Sequence, residues 1–296
     1  MSGPRVAVIA HRPTSSCGGL DELRRVLTEH DVAELDWHEV PKSRKAPKQV
    51  ARALEGGAEL LVVWGGDGMV QRCVDAAAGS GVPLAVIPAG TANLFASNLG
   101  IPTDLRAAVD LAFRGTRRRL DVGVINGERF AVMAGAGFDA LMIRDADRGM
   151  KSKVGRLAYV WTGARATRAP EVEARVRLDG TEWFRGPATC VLIGNVGKVM
   201  GGLQPFDGAR PDDGWLDVGV TTASGVAQWA RLLGRAAAGQ AERSPFVRTA
   251  RAKDIDVAFD RPLPYELDGG DRDPVDRLHI TVEPGAIEVY VPATTG

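Results

Sequence analysis

Cysteine is scarce. Cys17, Cys73 and Cys190 are the whole complement, far apart and without metal-ligand spacing. That excludes a disulfide framework and a cysteine-based zinc site, and leaves three small core residues suited to a reducing compartment. The four histidines are equally scattered. Excess charge is also missing: 37 Lys and Arg balance 37 Asp and Glu, for a formal net charge of zero. No global basic field points to nucleic acid, so any anionic partner has to be met by a local patch. Nowhere do about 18 apolar residues run together, the length a membrane-crossing helix requires. The run Val6–Ala10 is too short for a secretory h-region and is ended by His11 and Arg12. The expectation is a soluble, cytoplasmic protein.

What is present is ordinary globular composition, 45% hydrophobic and 25% charged, over 296 residues. A chain of that length divides more naturally into two domains than one. Its first part alternates short apolar runs with amphipathic stretches: strands at Val6–Ala10, Val32–Trp37, Glu59–Trp64 and Leu84–Ile87, helices at Leu20–Glu29, Gln49–Leu54, Met69–Ala78 and Ala92–Asn98. Such alternation predicts a parallel α/β sheet covered on two sides. Beyond Gly115 the pattern turns β-rich. Leu120–Ile125 and Arg129–Ala134 flank Asn126-Gly127, a hairpin signal. Further strands are expected at Val172–Leu178, Ala188–Ile193, Leu216–Thr221, Ile255–Phe259 and His279–Val282, with turns at Asp179-Gly180, Asp213-Gly214 and Asp268-Gly269. Two helices interrupt this half, around Val154–Arg165 and Val226–Ala237.

Two loops carry the chemistry. Gly65-Gly66-Asp67-Gly68 follows a buried strand and opens a helix. Glycines there let the backbone approach a bulky ligand and aim N–H groups at phosphates, while Asp67 can support metal-bound nucleotide. A tight strand-to-helix turn would explain that loop alone. Pro88-Ala89-Gly90-Thr91-Ala92-Asn93 repeats the arrangement after the next strand. Two such loops at adjacent strand ends make one phosphate-binding crevice.

This pair of motifs, GGDG then P-x-G-T-x-N, resembles the diacylglycerol kinase catalytic family, which includes sphingosine kinases and bacterial lipid kinases. The likeness continues through Asn98-Leu99-Gly100-Ile101-Pro102, Leu120-Asp121-Val122-Gly123, Phe138-Asp139-Ala140, Gly155-Arg156-Leu157-Ala158-Tyr159, Gly201-Gly202, Asp213-Gly214-Trp215-Leu216-Asp217 and Pro284-Gly285-Ala286. The resemblance implies an N-terminal α/β nucleotide-binding domain, residues 1–119 joined by a returning strand at 285–296. It implies a C-terminal β-sandwich, lipid-binding domain over 120–284, the plan shared with NAD kinases. It further implies ATP held by Gly65, Gly66, Asp67, Gly68, Gly90, Thr91 and Asn93, and Mg2+ linked to Asp67 and Asp121. The acceptor would be a lipid alcohol such as diacylglycerol, reached by transient peripheral contact with a membrane. The sequence leaves monomer and homodimer open.

One departure concerns mechanism. The family's late D-G-E motif, whose glutamate takes the acceptor proton, appears here as Asp268-Gly269-Gly270-Asp271. Gly270 cannot accept a proton; Asp271, or Glu266 upstream, would have to substitute, and Asp268 would cap the turn. A nucleotide-binding pseudokinase with a regulatory role is therefore the alternative, and NAD kinase a third. His11-Arg12-Pro13-Thr14-Ser15 replaces the usual N-P-x-x-G, and Met69 replaces a threonine. Gly135-Ala136-Gly137-Phe138-Asp139-Ala140 fits a loose dinucleotide pattern but lacks the acid that would follow it. Arg117-Arg118-Arg119, and Lys151 with Lys153, read as solvated faces or as contacts to phosphates or an anionic bilayer.

Overall fold

The computed structural model describes residues 3–14, 18–30, 32–137, 171–198, 204–238 and 240–293. The expected helix at Val154–Arg165, Lys151 and Lys153, and the landmarks at 138–140, 155–159 and 201–202 lie outside the described residues. The chain forms two compact units: Met1–Val122 with Pro284–Gly296, and Gly123–Glu283.

In the first unit, β1 (Arg5–His11), β2 (Glu34–Val40), β3 (Leu60–Gly65) and β4 (Leu84–Pro88) form a parallel sheet in the order β2-β1-β3-β4. The end of the last strand, β14 (Gly270–Val291), returns beside β4, with Val289 opposite Leu84. β3 and β4 are buried along their whole length. The reason is helices on both sheet faces, so side chains of both parities must be apolar. On one face α1 (Gly19–Leu27) and α5 (Leu105–Arg114) bring Leu23, Leu27, Leu105 and Val109 against Val8, Val62 and Trp64. The remaining long helices, α2 (Ala46–Glu55) and α3 (Asp67–Ala77), pack on each other and on β1 and β3. The short α4 (Leu94–Asn98) follows β4. No sequence signal above announced α5, although its N-cap is regular: the Asp104 carboxylate accepts the Ala107 N–H at 2.9 Å.

The second unit is an antiparallel β structure. Its strand order is β12 (Val247–Ala252), β11 (Leu216–Thr221), β10 (Cys190–Gly194), β7 (Met133–Gly137), β13 (Asp254–Leu267), β14. β13 serves two layers. Tyr265–Leu267 pair with β7, whereas Ile255–Phe259 pair with β8 (Val172–Leu178), whose other neighbour is β9 (Thr181–Ala188). The register of β13 against β14 shifts between Ala258 and Leu263, the irregularity that lets one strand turn from layer to layer. Val176, Phe184 and Ile255 of one layer and Val191, Ile193 and Val218 of the other share a single apolar core. On helix α6 (Gly225–Ala237), Trp229 and Leu232 are buried against Cys190 and Ala223.

Among the described residues of this unit, three hairpins turn on two residues, both with positive φ: Asn126-Gly127 (48°, 88°), Asp179-Gly180 (47°, 82°) and Asp268-Gly269 (45°, 78°). These are type I′ turns, whose twist matches that of the strands. The first joins β5 (Thr116–Ile125) to β6 (Glu128–Phe130). The strand expected over Arg129–Ala134 is thus two strands: β6 ends at Phe130, and Met133 onward pairs with β10 instead. The break has a cause. The buried Asp268 carboxylate accepts the N–H groups of Ala131 (2.7 Å), Val132 (2.9 Å) and Met133 (2.9 Å), taking donors that a continuous ladder would need. Asp268 therefore fastens a neighbouring segment, where the sequence suggested a cap for its own turn.

Candidate functional site

β3 and β4 are neighbours, and each ends in one of the two glycine loops. Gly65 stands opposite Pro88, and the Ala89 N–H donates to the Gly65 carbonyl at 3.0 Å. Beyond that point the loops touch backbone to backbone. A Cβ on Gly90 would lie 2.4 Å from the Gly66 Cα, and one on Gly66 would lie 3.1 Å from the Gly90 Cα. Glycine at position 90 follows from this approach alone, whereas a Cβ at position 66 would need the facing backbone to give by a few tenths of an ångström. Gly68 differs: it is exposed, with nothing within 4 Å of where its Cβ would be. It lies in the first turn of α3, whose N-cap is Gly66 and whose leading N–H groups receive no side-chain cap. A helix N-terminus of this kind, open to solvent at a glycine, favours an anion.

Polar side chains fasten the second loop. Asn93 adopts a left-handed backbone (φ 49°). Its Oδ1 accepts the Gly90 N–H at 2.9 Å, and its Nδ2 donates to the Gly90 carbonyl at 2.8 Å. Asp67 reaches across from the first loop, Oδ1 accepting the Phe95 N–H at 3.0 Å. Burial raises the Asp67 pKa, while the N–H groups around the start of α4 pull it back down. Thr91 is exposed. Gly65, Gly66, Asp67, Gly68, Gly90, Thr91 and Asn93 thus gather at one edge of the first unit's sheet. His11, the first residue of the stretch that replaces N-P-x-x-G, joins them. It ends β1, its Nδ1 is 2.9 Å from Thr14 Oγ1, burial lowers its pKa, and its Cβ is 3.6 Å from the position a Gly65 Cβ would take. The stretch stands out in the sequence by its place in the first-strand motif, which by itself gives His11 no role in the site.

Asp121 stands elsewhere in the same unit. It is buried in β5, and its Oδ1 accepts the Gly285 N–H at 2.8 Å, pinning the returning strand. Two of the three clustered arginines serve the same strand: Arg117 Nε donates to Tyr290 Oη (2.9 Å) and Arg119 pairs with Glu288 (3.0 Å). Asp271 belongs to the second unit, exposed on β14 opposite the buried Glu266 of β13. At Gly270 an added Cβ would meet Arg272 Nη1 at 2.9 Å. That guanidinium is in turn forked onto Glu128, with Nη2–Oε2 at 2.7 Å and Nε–Oε1 at 2.9 Å. Among the described residues, the one group of three side chains with metal-ligand proximity is Asp254, Asp256 and His279, all exposed, and it includes neither Asp67 nor Asp121.

Residues 6–125 match the family described as the diacylglycerol kinase catalytic domain, and residues 132–291 match the YegS C-terminal NAD kinase beta sandwich-like domain. A Pseudomonas aeruginosa protein named "Probable lipid kinase YegS-like" is 37% identical over 99% of this chain and 96% of its own length. A Staphylococcus carnosus diacylglycerol kinase is 28% identical over 97% of this chain and 95% of its own. In fold, the chain resembles the crystal structure of a Bacillus anthracis diacylglycerol kinase (TM-score 0.75, 19% identity, all of both chains). It also resembles an Archaeoglobus fulgidus NAD kinase in complex with ATP (TM-score 0.51, 11% identity, 97% and 93% of the two chains). With both domain families in order along the chain and a relative this similar over its full length, the protein belongs to the diacylglycerol kinase catalytic-domain family.

Proposed function

We propose that the protein is a lipid kinase that transfers the γ-phosphoryl group of ATP to the hydroxyl of a lipid alcohol, diacylglycerol being the first candidate. The observation that carries this reading is the backbone contact of Gly66 with Gly90 beside the open N-terminus of α3. Such a cradle suits phosphate, since it offers N–H groups and helix potential without side chains in the way. Asp67, adjacent to it, fits a magnesium-bound nucleotide, because a carboxylate raised by desolvation gains by facing a cation. Asp67 would hold Mg2+, which would supply charge neutralisation at the phosphates when bound; Asp121, buried and engaged with the Gly285 N–H, would hold the returning strand and does not fit as a ligand shared with Asp67.

In the transfer, the lipid oxygen forms a bond to the γ-phosphorus, the β–γ bridging bond breaks, ADP leaves, and the hydroxyl proton is lost. We assign that proton to Asp271, whose carboxylate is exposed beside Gly270, in preference to the buried Glu266. General-base assistance is worth about 10²–10⁴-fold. Incubation with γ-labelled ATP, Mg2+ and detergent-dispersed diacylglycerol, with NAD as a competing acceptor, tests the proposal. Label in a phospholipid supports it; label in NADP, or in no acceptor among a mixed-lipid panel, overturns it.

A second reading is favoured by one feature. Gly270, which offers no carboxylate, stands where the family's proton-accepting glutamate is expected, as would suit a nucleotide-binding protein without turnover. An inactive wild type that gains lipid phosphorylation on Gly270→Glu substitution supports this reading, and robust wild-type turnover excludes it.

A further inference from the structure

The glycine loops follow the C-terminal ends of β3 and β4, and a cavity of about 400 Å³ opens at the other end of the same sheet. Leu60, the first residue of β3, lies in its lining; Gly65 ends that strand, about 17 Å away along the chain. The cavity lies between the start of β3, the last turn of α5 and the end of β14. α5 stops at Arg114, and the chain turns tightly at Gly115. A Cβ there would lie 2.5 Å from the Leu111 carbonyl oxygen and 3.0 Å from that of Val291. The volume falls in the range of small-molecule sites.

The lining is divided by chemistry. Leu60 and Ala112, both buried, and Phe113 supply apolar surface. Phe113 is held in place by His30, whose ring stacks on it at 4.5 Å, and His30 Nε2 in turn lies 3.3 Å from Asp110. Beside this surface stand one cation and one anion, Arg117 and Glu59, both exposed. Arg117 Nε donates to Tyr290 Oη at 2.9 Å, and its guanidinium lies over that ring, 5.4 Å from the centroid. Its Nη groups have no partner among the described residues. Glu59 accepts the Arg5 N–H on Oε2 at 2.9 Å, which leaves Oε1 available. An exposed arginine and an exposed glutamate are ordinary on a protein surface; sharing the lining of one apolar cavity is not. Glu59 repels a lone anion there, and Arg117 repels a lone cation. A zwitterion satisfies both. Its carboxylate meets Arg117 and the Tyr290 hydroxyl, and its ammonium meets Glu59, close to a helix C-terminus that also favours positive charge.

We propose that this cavity binds a small zwitterion with an apolar body, an α-amino acid of the size of leucine or phenylalanine. The inference does not depend on the lipid-kinase reading, because the cavity shares no residue with the glycine loops. Calorimetric titration of the full chain with L-phenylalanine tests it, beside three analogues that each lack one part. Glycine lacks the apolar body, 3-phenylpropionate the ammonium and phenethylamine the carboxylate. L-Phenylalanine binds with a Kd of about 1 mM or below, and each analogue binds about tenfold more weakly or worse. Arg117→Gln weakens L-phenylalanine and 3-phenylpropionate about tenfold and spares phenethylamine. Glu59→Gln weakens L-phenylalanine and phenethylamine by a similar factor and spares 3-phenylpropionate. A loosened fold does not produce such a crossed pattern, and melts of the ligand-free variants match wild type.

Absence of saturable binding by L-phenylalanine overturns the proposal, as does equal binding by the two singly charged analogues. Wild-type affinities in both variants overturn it too. Mg-ATP leaves L-phenylalanine bound, since the two sites lie at opposite ends of the sheet; displacement by Mg-ATP would place the amino acid at the glycine loops and contradict the assignment.

Discussion

Gly90 bears the tightest steric demand in the candidate site, because its α-carbon faces that of Gly66 where only hydrogen fits. Gly90→Ala forces the two loops apart. The expected cost is about 1–3 kcal/mol of stability, typical of overpacking, together with loss of ATP binding. Gly68→Ala serves as the control: its surroundings are open, and a helical alanine is not unfavourable, so melting temperature and fold are preserved. Thermal melts with and without Mg-ATP distinguish the two; a Gly90→Ala protein that keeps wild-type ATP stabilisation contradicts the account. The glycines were legible because glycine has few other reasons to cluster between a strand and a helix. The link from Asp67 to Phe95 was not. It joins loops 28 residues apart in sequence, and no local pattern records which amide a carboxylate will find.

Elements show the same division between local and distant causes. Asn126-Gly127, Asp179-Gly180 and Asp268-Gly269 announced turns, since asparagine, aspartate and glycine tolerate positive φ. The break between β6 and β7 was hidden, because it depends on Asp268, more than a hundred residues later in the chain. Asp268→Asn tests that dependence. The carboxylate accepts three N–H groups at 2.7–2.9 Å, whereas an amide offers one oxygen and turns its NH2 toward the donors. A loss of about 1.5–3 kcal/mol is expected, the range for hydrogen bonds to a charged group, read by urea unfolding; an unchanged midpoint would show that the 131–133 segment holds itself. β9 and β12 escaped the sequence reading for a related reason. Edge strands carry charges at both parities, as Glu182 with Arg185 and Arg248 with Arg251 do, which blurs the alternation.

For the molecule as a whole, the change of pattern after Gly115 anticipated an α/β part followed by a β-rich part, and the two units are built so. The electrostatics of the second unit make its stability depend on pH through Asp217. Burial raises that carboxyl from 3.8 to about 6, Arg251 opposing and Asp213 and Glu242 adding to the rise. The folded state therefore prefers the neutral acid. Its contribution to stability is complete below about pH 4 and is lost as pH climbs through about 6. Asp217→Asn removes the titration, so the variant gains on wild type between pH 4 and pH 7, by up to about 3 kcal/mol. Denaturant midpoints of both proteins at the two ends of that window give the answer; a constant difference would mean that Asp217 does not titrate there.

The central claim is that the paired glycine loops serve phosphoryl transfer to a lipid. Its most direct test is a coupled measurement of ADP release with Mg-ATP and detergent-dispersed diacylglycerol, comparing wild type with Asp67→Ala. The account predicts lipid-dependent release by wild type and none by Asp67→Ala, with the variant still folded by circular dichroism. Wild-type ATP consumption that ignores lipid, or undiminished turnover in Asp67→Ala, would contradict it.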